Sequence, residues 1–206
     1  MYGTDTRTRP PGYELFFAPL AVALDPNDHE RVQFAYFASK YGHAKQVRDD
    51  GSRYFDHPKA AAWIYINELG GRDPRVIISL LLHDIREDAY LLSAYRTSRN
   101  FGVAIALDVG AVTKLPKGKE STEENLKRII ARGPWAILVK LCDRLHNLRT
   151  LRGCSAEKRA RKIEETEQHH IPMLISALSA CGEPWAEYAE TLREKIADAI
   201  EKARAL

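Results

Sequence analysis

Apolar residues recur along this chain at intervals of three and four positions, the spacing of one face of an α-helix. No segment alternates convincingly between apolar and polar residues at period two, as a half-buried strand would. Helix-start signals divide the pattern: Asp25-Pro26 and Asp73-Pro74 each pair an N-cap with a first-turn proline, and Ser121 opens a capping box. The pattern therefore predicts an all-α protein folded as a helical bundle.

The chain of 206 residues is long enough for one sizeable core, and no break in composition divides it. We expect a disordered tail over residues 1–11 and a single domain over residues 12–206. The last segment, 184–206, places large apolar side chains at helical spacing. It is predicted to dock as an amphipathic helix, either in the core or against a second copy of the chain.

Two irregular segments stand out between the helices. Residues 114–121 form the clearest predicted loop, and its three lysines either face solvent, which we favour, or reach toward phosphates. Pro172 falls inside a long predicted helix, residues 155–179, and is expected to kink it because proline cannot donate to the carbonyl of Gln168.

Charge and cysteine content exclude several classes of protein. The net charge is only +3, so nothing in the overall balance indicates a DNA-binding protein. The three cysteines are odd in number and lack paired metal spacing, which favours a reducing cytoplasm. No run reaches the roughly 18 apolar residues of a membrane span.

Residues 76–82 are apolar on all sides and predict a buried central helix, after which the polar run 83–88 begins. On a helix, Glu87 would lie one turn beyond His83 and Asp88 one turn beyond Asp84. Such a run either caps the helix in water or surrounds a metal ion or a solvent-filled cleft, since buried carboxylates without partners are costly. The dipeptide alone leaves both interpretations open.

Two other segments have matching contexts. His57 precedes Pro58 at the start of an alanine-rich helix, where a histidine is either a cap or a ligand. The apolar segment 137–148 carries Asp143, His146 and Asn147 on one face, as a structural hydrogen-bond network or as ligands. Two imidazoles and two carboxylates could hold one divalent metal such as Mn²⁺, Fe²⁺ or Zn²⁺.

Six segments together carry a resemblance: 43–48, 54–58, 81–88, 101–102, 112–115 and 140–151. In this order they resemble the hydrolase domain of the RelA/SpoT homologues, which degrade the alarmones ppGpp and pppGpp. The resemblance covers roughly residues 28 to 182. It implies an HD-type helical domain with a metal site between central helices, here expected as a small hydrolase without synthetase or regulatory domains.

The resemblance also implies roles for individual residues. One Mn²⁺ would be bound by His57, His83, Asp84 and Asp143. The attacking water would be positioned and activated by Glu87 and Asp88. The guanine base and the nucleotide pocket would be contacted by Arg48, Asn147 and Thr150. One departure stands next to the arginine, where the family usually has lysine and this chain has Asp49.

The resulting expectation is a metal-dependent 3′-pyrophosphohydrolase acting on guanosine tetra- and pentaphosphate. One alternative is the same chemistry on another nucleotide: the 2′-phosphate of NADPH, an adenosine alarmone or a pyrophosphorylated tRNA end. Another is a nucleotide sensor without turnover, which the Glu87-Asp88 pair disfavours. One expected cellular role is to neutralise an alarmone-synthetase toxin, and a homodimer is left open as an assembly.

Overall fold

The computed structural model describes residues 10–48, 50–85, 93–116 and 118–206. The chain forms two compact units, Met1–Gly110 and Ala111–Leu206. Within the described residues, regular structure is helical apart from one isolated antiparallel bridge between Val47 and Arg53. The predicted all-α class is confirmed, whereas the single domain over residues 12–206 and the disordered tail stay predictions. Residues 1–9 of that tail lie outside the described part of the chain.

Two helices of the first unit are capped as their sequence predicts. Its described helices are α1 (Tyr13–Ala23), α2 (Pro26–Gly42), α3 (Asp56–Trp63) with a π-helical extension (Ile64–Glu68), α4 (Pro74–Leu82), α5 (Ala94–Phe101) and α6 (Val103–Val112), whose last two residues belong to the second unit. The Asp25 side chain caps α2 by accepting the N–H of Asp28 at 2.9 Å. Asp73 caps α4 in the same way, accepting the N–H of Arg75 at 2.8 Å.

Helix α4 is the centre of the first unit. All seven residues from Val76 to Leu82 are buried, as expected of a central helix, and α2 and α3 pack against it. Gly70 precedes α4 with φ 67°, a left-handed conformation that glycine adopts at little cost. This turn ends the run that starts with α3, so that both α3 and α4 contribute to the same core.

The second unit is built around α8. Its elements are α7 (Thr122–Arg132), α8 (Pro134–Arg149), a 3₁₀ turn (Leu151–Gly153), α9 (Ala156–Glu165), a π-helical segment (Thr166–Ile175), α10 (Ser176–Ser179) and α11 (Trp185–Arg204). Helices α7, α10 and α11 pack on α8. The capping box is confirmed: Ser121 accepts the N–H of Glu124 at 3.2 Å, and the Glu124 carboxylate accepts the N–H of Ser121 at 2.7 Å.

The region around Pro172 is helical, but its turns are not all of the α type. The π-helical segment Thr166–Ile175 separates α9 from α10, and Pro172 lies inside it. A π-helix bonds each N–H to the carbonyl five residues earlier, so its turns are wider than those of an α-helix. The predicted long helix therefore departs from α geometry over this whole segment and not at a single break at Pro172.

The last helix buries an apolar stripe. Leu192, Ile196 and Ile200 are buried, and α11 packs against α8 and α10. Residues 114–121 form no helix where they are described, and Lys117 lies outside the described part of the chain. None of the described helices has the length and apolar character needed to cross a membrane.

Candidate metal centre

His57 is held at the start of α3 by a tight turn. The backbone N–H of His57 donates to the carbonyl oxygen of Tyr54 at 3.0 Å, and the N–H of Asp56 donates to that of Arg53 at the same distance. The imidazole is only 2% exposed. The predicted position at a helix entrance is therefore confirmed, and the side chain points into the interior, not into water.

His83 directly follows the last residue of α4 and is 4% exposed. Its Nδ1 lies 2.7 Å from the carbonyl oxygen of Leu80. A carbonyl oxygen can only accept, so Nδ1 carries the proton, and the neutral ring leaves a lone pair on Nε2. The helix backbone thus prepares His83 to act as a ligand through Nε2.

His57, His83 and Asp84 converge on one point within the first unit. The two Nε2 atoms are 3.1 Å apart. Oδ2 of Asp84 lies 3.3 Å from Nε2 of His57, and Oδ1 of Asp84 lies 3.3 Å from Nε2 of His83. Two ligand nitrogens about 2.1 Å from one metal are roughly 3 Å apart when they subtend a right angle, so the separation suits neighbouring ligands. This donor set fits a divalent transition metal.

Tyr54 adds an outer contact to this group. Its hydroxyl donates to Oδ2 of Asp84 at 3.1 Å, and its ring stacks on His43 with centroids 4.7 Å apart. Sequence reasoning assigned no role to Tyr54. The available signal was its position three residues before His57, which places both side chains on the same turn.

Asp143 lies on α8 in the second unit and is 6% exposed. Its Oδ2 accepts from Nζ of Lys140 at 2.9 Å, and its Oδ1 accepts from the amide of Asn147 at 2.5 Å. The predicted polar face of this apolar helix is confirmed for Asp143 and Asn147. Both carboxylate oxygens are held by groups from the same helix.

The predicted nucleotide contacts have other partners in the described structure. The hydroxyl of Thr150, at the end of α8, donates to the carbonyls of His146 and Asn147 at 3.1 and 3.2 Å. Arg48 is half-buried in a turn, where its N–H donates to the carbonyl of Ser52 at 2.9 Å. Three residues singled out by the sequence lie outside the described residues: Asp49, Glu87 and Asp88.

A buried ionic network follows Asp143 on α8. Arg144, 3% exposed, donates to Glu165 at 3.1 Å and to Nε2 of His170 at 2.6 Å. The pKa of His170 is lowered to about 3 by burial and by the charges of Arg144 and Lys140. Burial alone would raise the pKa of Glu165, but Arg144 and Lys162 outweigh it and lower that pKa to about 2. Sequence reasoning missed this network because its members come from separate elements.

Comparison with known proteins supplies the family. Residues 35–172 match the family model described as HD domain. The chain belongs to the HD-domain family. The match begins in the first unit and ends in the second, and it includes His57, His83, Asp84 and Asp143. The predicted HD-type helical fold is thereby confirmed.

Curated relatives of this HD domain carry names from alarmone metabolism. A protein of Aquifex aeolicus named guanosine-3′,5′-bis(diphosphate) 3′-pyrophosphohydrolase is 37% identical over 153 residues, which are 72% of this chain and 22% of that protein. The bifunctional (p)ppGpp synthase/hydrolase RelA of Mycobacterium tuberculosis is 38% identical over 148 residues, 69% of this chain and 20% of that protein. A GTP pyrophosphokinase of Streptomyces antibioticus is 37% identical over 157 residues, 73% of this chain and 18% of that protein. The chain thus spans about a fifth of the length of these relatives, and the predicted resemblance to RelA/SpoT proteins is confirmed.

A solved structure also resembles this HD domain. It is described as a metazoan ortholog of SpoT that hydrolyzes ppGpp, and it superposes with a TM-score of 0.69 at 22% identity. The match covers 85% of this chain and 97% of that one. At this identity the likeness establishes the fold.

Proposed function

We propose that this protein is a metal-dependent 3′-pyrophosphohydrolase of guanosine tetra- and pentaphosphate. The observation that carries the proposal is the convergence of His57, His83 and Asp84 with ligand atoms 3.1 to 3.3 Å apart. Similarity to the pyrophosphohydrolase of Aquifex aeolicus and to the bifunctional RelA gives the substrate class.

The metal would be held by His57, His83 and Asp84, and the resemblance implies Asp143 as the fourth ligand. Two imidazoles and two carboxylates are ligands of intermediate hardness and suit Mn²⁺, Fe²⁺ or Zn²⁺. Among these ions we propose Mn²⁺, as the resemblance implies. A bound metal of this kind lowers the pKa of a water ligand and neutralises charge that develops on phosphorus.

The described side chains around these ligands fix their orientation. The Leu80 carbonyl holds the His83 ring, and the Tyr54 hydroxyl holds one oxygen of Asp84. Lys140 and Asn147 do the same for the two oxygens of Asp143. Ligands held before binding need little reorganisation, and such outer contacts commonly raise metal affinity and activity by about 10- to 100-fold.

The reaction itself needs a base and a route for one proton. We assign Glu87 and Asp88 to the positioning and deprotonation of water, as the resemblance implies. The water oxygen forms a bond to the phosphorus next to the ribose and the bond from that phosphorus to O3′ breaks, so the 3′ oxygen is the leaving group and the pyrophosphoryl group is transferred to water as pyrophosphate. The 3′ oxygen takes up a proton, so atoms and charge balance without a covalent intermediate.

Nucleotide recognition is assigned to Arg48, Asn147 and Thr150. A guanidinium stacks well on a purine, so Arg48 would lie against the base. Because stacking accepts any purine, Arg48 does not by itself select guanine. Asp49, where the family usually has lysine, is a negatively charged residue next to Arg48 in the sequence. This departure supports a second candidate: the same hydrolysis acting on a different nucleotide.

The cellular setting belongs to the same proposal. The odd number of cysteines in the sequence supports a reducing cytoplasm. A role in neutralising an alarmone-synthetase toxin and assembly as a homodimer stay predictions. Co-expression with such a synthetase in cells tests the first, and light scattering of the purified protein tests the second.

A nucleotide panel tests the proposal directly. Protein supplied with Mn²⁺ is incubated with ppGpp, pppGpp, NADPH and the adenosine counterpart of ppGpp, and products are separated by chromatography. We expect GDP from ppGpp and GTP from pppGpp, each with one pyrophosphate. Turnover of NADPH alone would favour the second candidate, and tight binding without turnover would indicate a nucleotide sensor.

A further inference from the structure

A cavity of about 120 Å³ lies within the second unit, between the loop that precedes α7 and the helices α8 and α9. Its lining includes three cationic side chains, Lys114, Lys140 and Arg144, together with Glu120, Glu165 and His170. At about 30 Å³ for each water molecule, this volume accommodates roughly four waters or a group of comparable size. The residues proposed for metal and nucleotide binding do not include Lys114 or Arg144 of this lining.

The two acidic residues of the lining are already neutralised. Glu120 accepts from Arg128 at 2.8 Å. Glu165 accepts from Arg144 and from Lys162, each at 3.1 Å. When the partners of the lining residues are counted, five cationic side chains stand against three carboxylates, because Asp143 pairs with Lys140. Positive charge therefore remains in excess around the cavity.

Titration of the surrounding groups indicates a cationic environment. The pKa of Lys162 is lowered first by burial and then by the charge of Arg144, with a further contribution from Lys114. The pKa of His170 is lowered by burial and then by the charges of Arg144 and Lys140. Burial is the largest cause of both shifts, Glu165 opposes them, and the neighbouring cations act in the same direction as burial.

Lys140 connects this cavity to the proposed metal ligand on the same helix. Its ammonium lines the cavity and also contacts Oδ2 of Asp143 at 2.9 Å. A group bound in the cavity would therefore lie one side chain away from Asp143. In the proposed reaction, the anionic group closest to the metal ligands is the 3′-pyrophosphate.

We propose that the cavity lined by Lys114, Lys140 and Arg144 binds the pyrophosphoryl group of the substrate and holds it as the leaving product. This assignment rests on the proposed function, which places pyrophosphate among the products. Lys114 is an exposed residue of the lining, so its ammonium is reached from solvent. Lys140 and Arg144 form its buried wall.

Inorganic pyrophosphate is the probe, because it presents this group without nucleoside. Binding to protein stripped of metal with EDTA is measured by calorimetry for the wild type, Lys114→Met and Lys114→Arg. Lys127→Met is the matched control, since Lys127 is an exposed lysine of α7 that pairs with Glu123 away from the cavity lining. We expect Lys114→Met to weaken binding about 10-fold, as loss of one charge-assisted hydrogen bond predicts. Lys114→Arg should retain most of the affinity, and Lys127→Met all of it.

The same variants are then assayed with ppGpp and excess Mn²⁺, and product inhibition by pyrophosphate should weaken in Lys114→Met in parallel with the calorimetric affinity. Equal pyrophosphate affinity in Lys114→Met and wild type would overturn the assignment of the cavity to pyrophosphate. It would not contradict the proposed hydrolysis of ppGpp. If Lys114→Met weakened the binding of GDP but not that of pyrophosphate, the assignment would also be overturned, and the cavity would be assigned to the 5′-diphosphate. Wild-type protein without ppGpp hydrolysis would refute the proposed function and, with it, the role of the cavity in holding the pyrophosphate product.

Discussion

Tyr54 donates its hydroxyl hydrogen to Oδ2 of Asp84 across 30 residues of sequence, over 3.1 Å. The same backbone segment carries His57, whose N–H donates to the Tyr54 carbonyl. One turn thus supplies both a ligand and the support for a second ligand. Because Asp84 has a donor on this oxygen, the carboxylate has less rotational freedom than an isolated aspartate.

Tyr54→Phe removes that donor and keeps the ring that stacks on His43. We expect Mn²⁺ affinity to fall about 10-fold, within the range for lost outer contacts of a metal ligand. The affinity is measured by titrating the protein with Mn²⁺ and following the electron paramagnetic resonance signal of the free ion. Tyr41→Phe is the control, since Tyr41 is 70% exposed. Equal affinity in Tyr54→Phe and wild type would show that the hydroxyl does not support the ligand.

Metal removal should lower thermal stability. Ion binding to the folded state alone stabilises it by about 2.7 kcal/mol when the free ion is at 100 times its dissociation constant. Unfolding is followed by calorimetry with added Mn²⁺ and with EDTA. We expect a higher Tm with Mn²⁺ in the wild type and no such increase in His83→Gln. His29→Gln serves as the control and should keep the increase. An increase retained in His83→Gln would remove His83 from the ligand set.

Glu87→Gln tests the proposed base. The amide keeps the size of the side chain and loses the ability to take a proton, so turnover of ppGpp should fall about 100-fold or more with metal and substrate affinity retained. Single-turnover kinetics with Mn²⁺ at saturation separates the chemical step from binding. Near-normal turnover would transfer the role to Asp88, and Asp88→Asn is the companion variant.

Arg48 and Asp49 test the nucleotide contact. Stacking of a guanidinium on a purine contributes about 1–2 kcal/mol, so Arg48→Ala should raise KM for ppGpp about 5- to 30-fold with a smaller change in kcat. Arg53→Ala, from the opposite side of the Val47–Arg53 bridge, is the control. An unchanged KM in Arg48→Ala would place the base elsewhere. Asp49→Lys should lower KM, more strongly at low salt, if residue 49 faces the phosphates.

Acid should destabilise the second unit through His170 and Glu165. The folded-state pKa of His170 is about 3, against 6.5 for an unperturbed histidine, so the unfolded chain binds its proton first as pH falls. The stabilisation is present above pH 6.5 and lost below it. Glu165, with a folded-state pKa of about 2 against 4.5, adds a loss below pH 4.5. The free energy of unfolding is measured with urea at several pH values from 7 to 4.5. It should fall less steeply with falling pH in His170→Gln than in wild type or in His169→Gln. Identical slopes would contradict the assignment to His170.

Helix boundaries were predictable because their chemistry is local. Asp25, Asp73 and Ser121 each accept a backbone N–H two or three residues further along, an interaction that depends only on nearby sequence. The buried character of α4 was predictable for a related reason, since a run that is apolar on every side cannot lie at a surface.

The contacts around the ligands could not be predicted in the same way. Tyr54 reaches Asp84, and Arg144 reaches His170, through tertiary packing that no periodicity records. The Lys140–Asp143 pair has a helical spacing of three residues, but that spacing alone does not distinguish a buried pair from a solvated one. The four ligand candidates were found by their residue types and by the order of motifs around them.

The π-helical segment Thr166–Ile175 restricts how the length of this chain can change. A π-helix bonds each N–H to the carbonyl five residues earlier, so a deletion that leaves this bonding unchanged would rotate the residues that follow by one helical step. Leu174 and Leu178 would then leave the buried face that packs against α8 and α11. Insertions and deletions in related sequences should therefore accumulate in the loop 114–121 and be rare between α9 and α10. The positions at which related sequences differ in length would thus show which helical segments must keep their buried side chains in a fixed register.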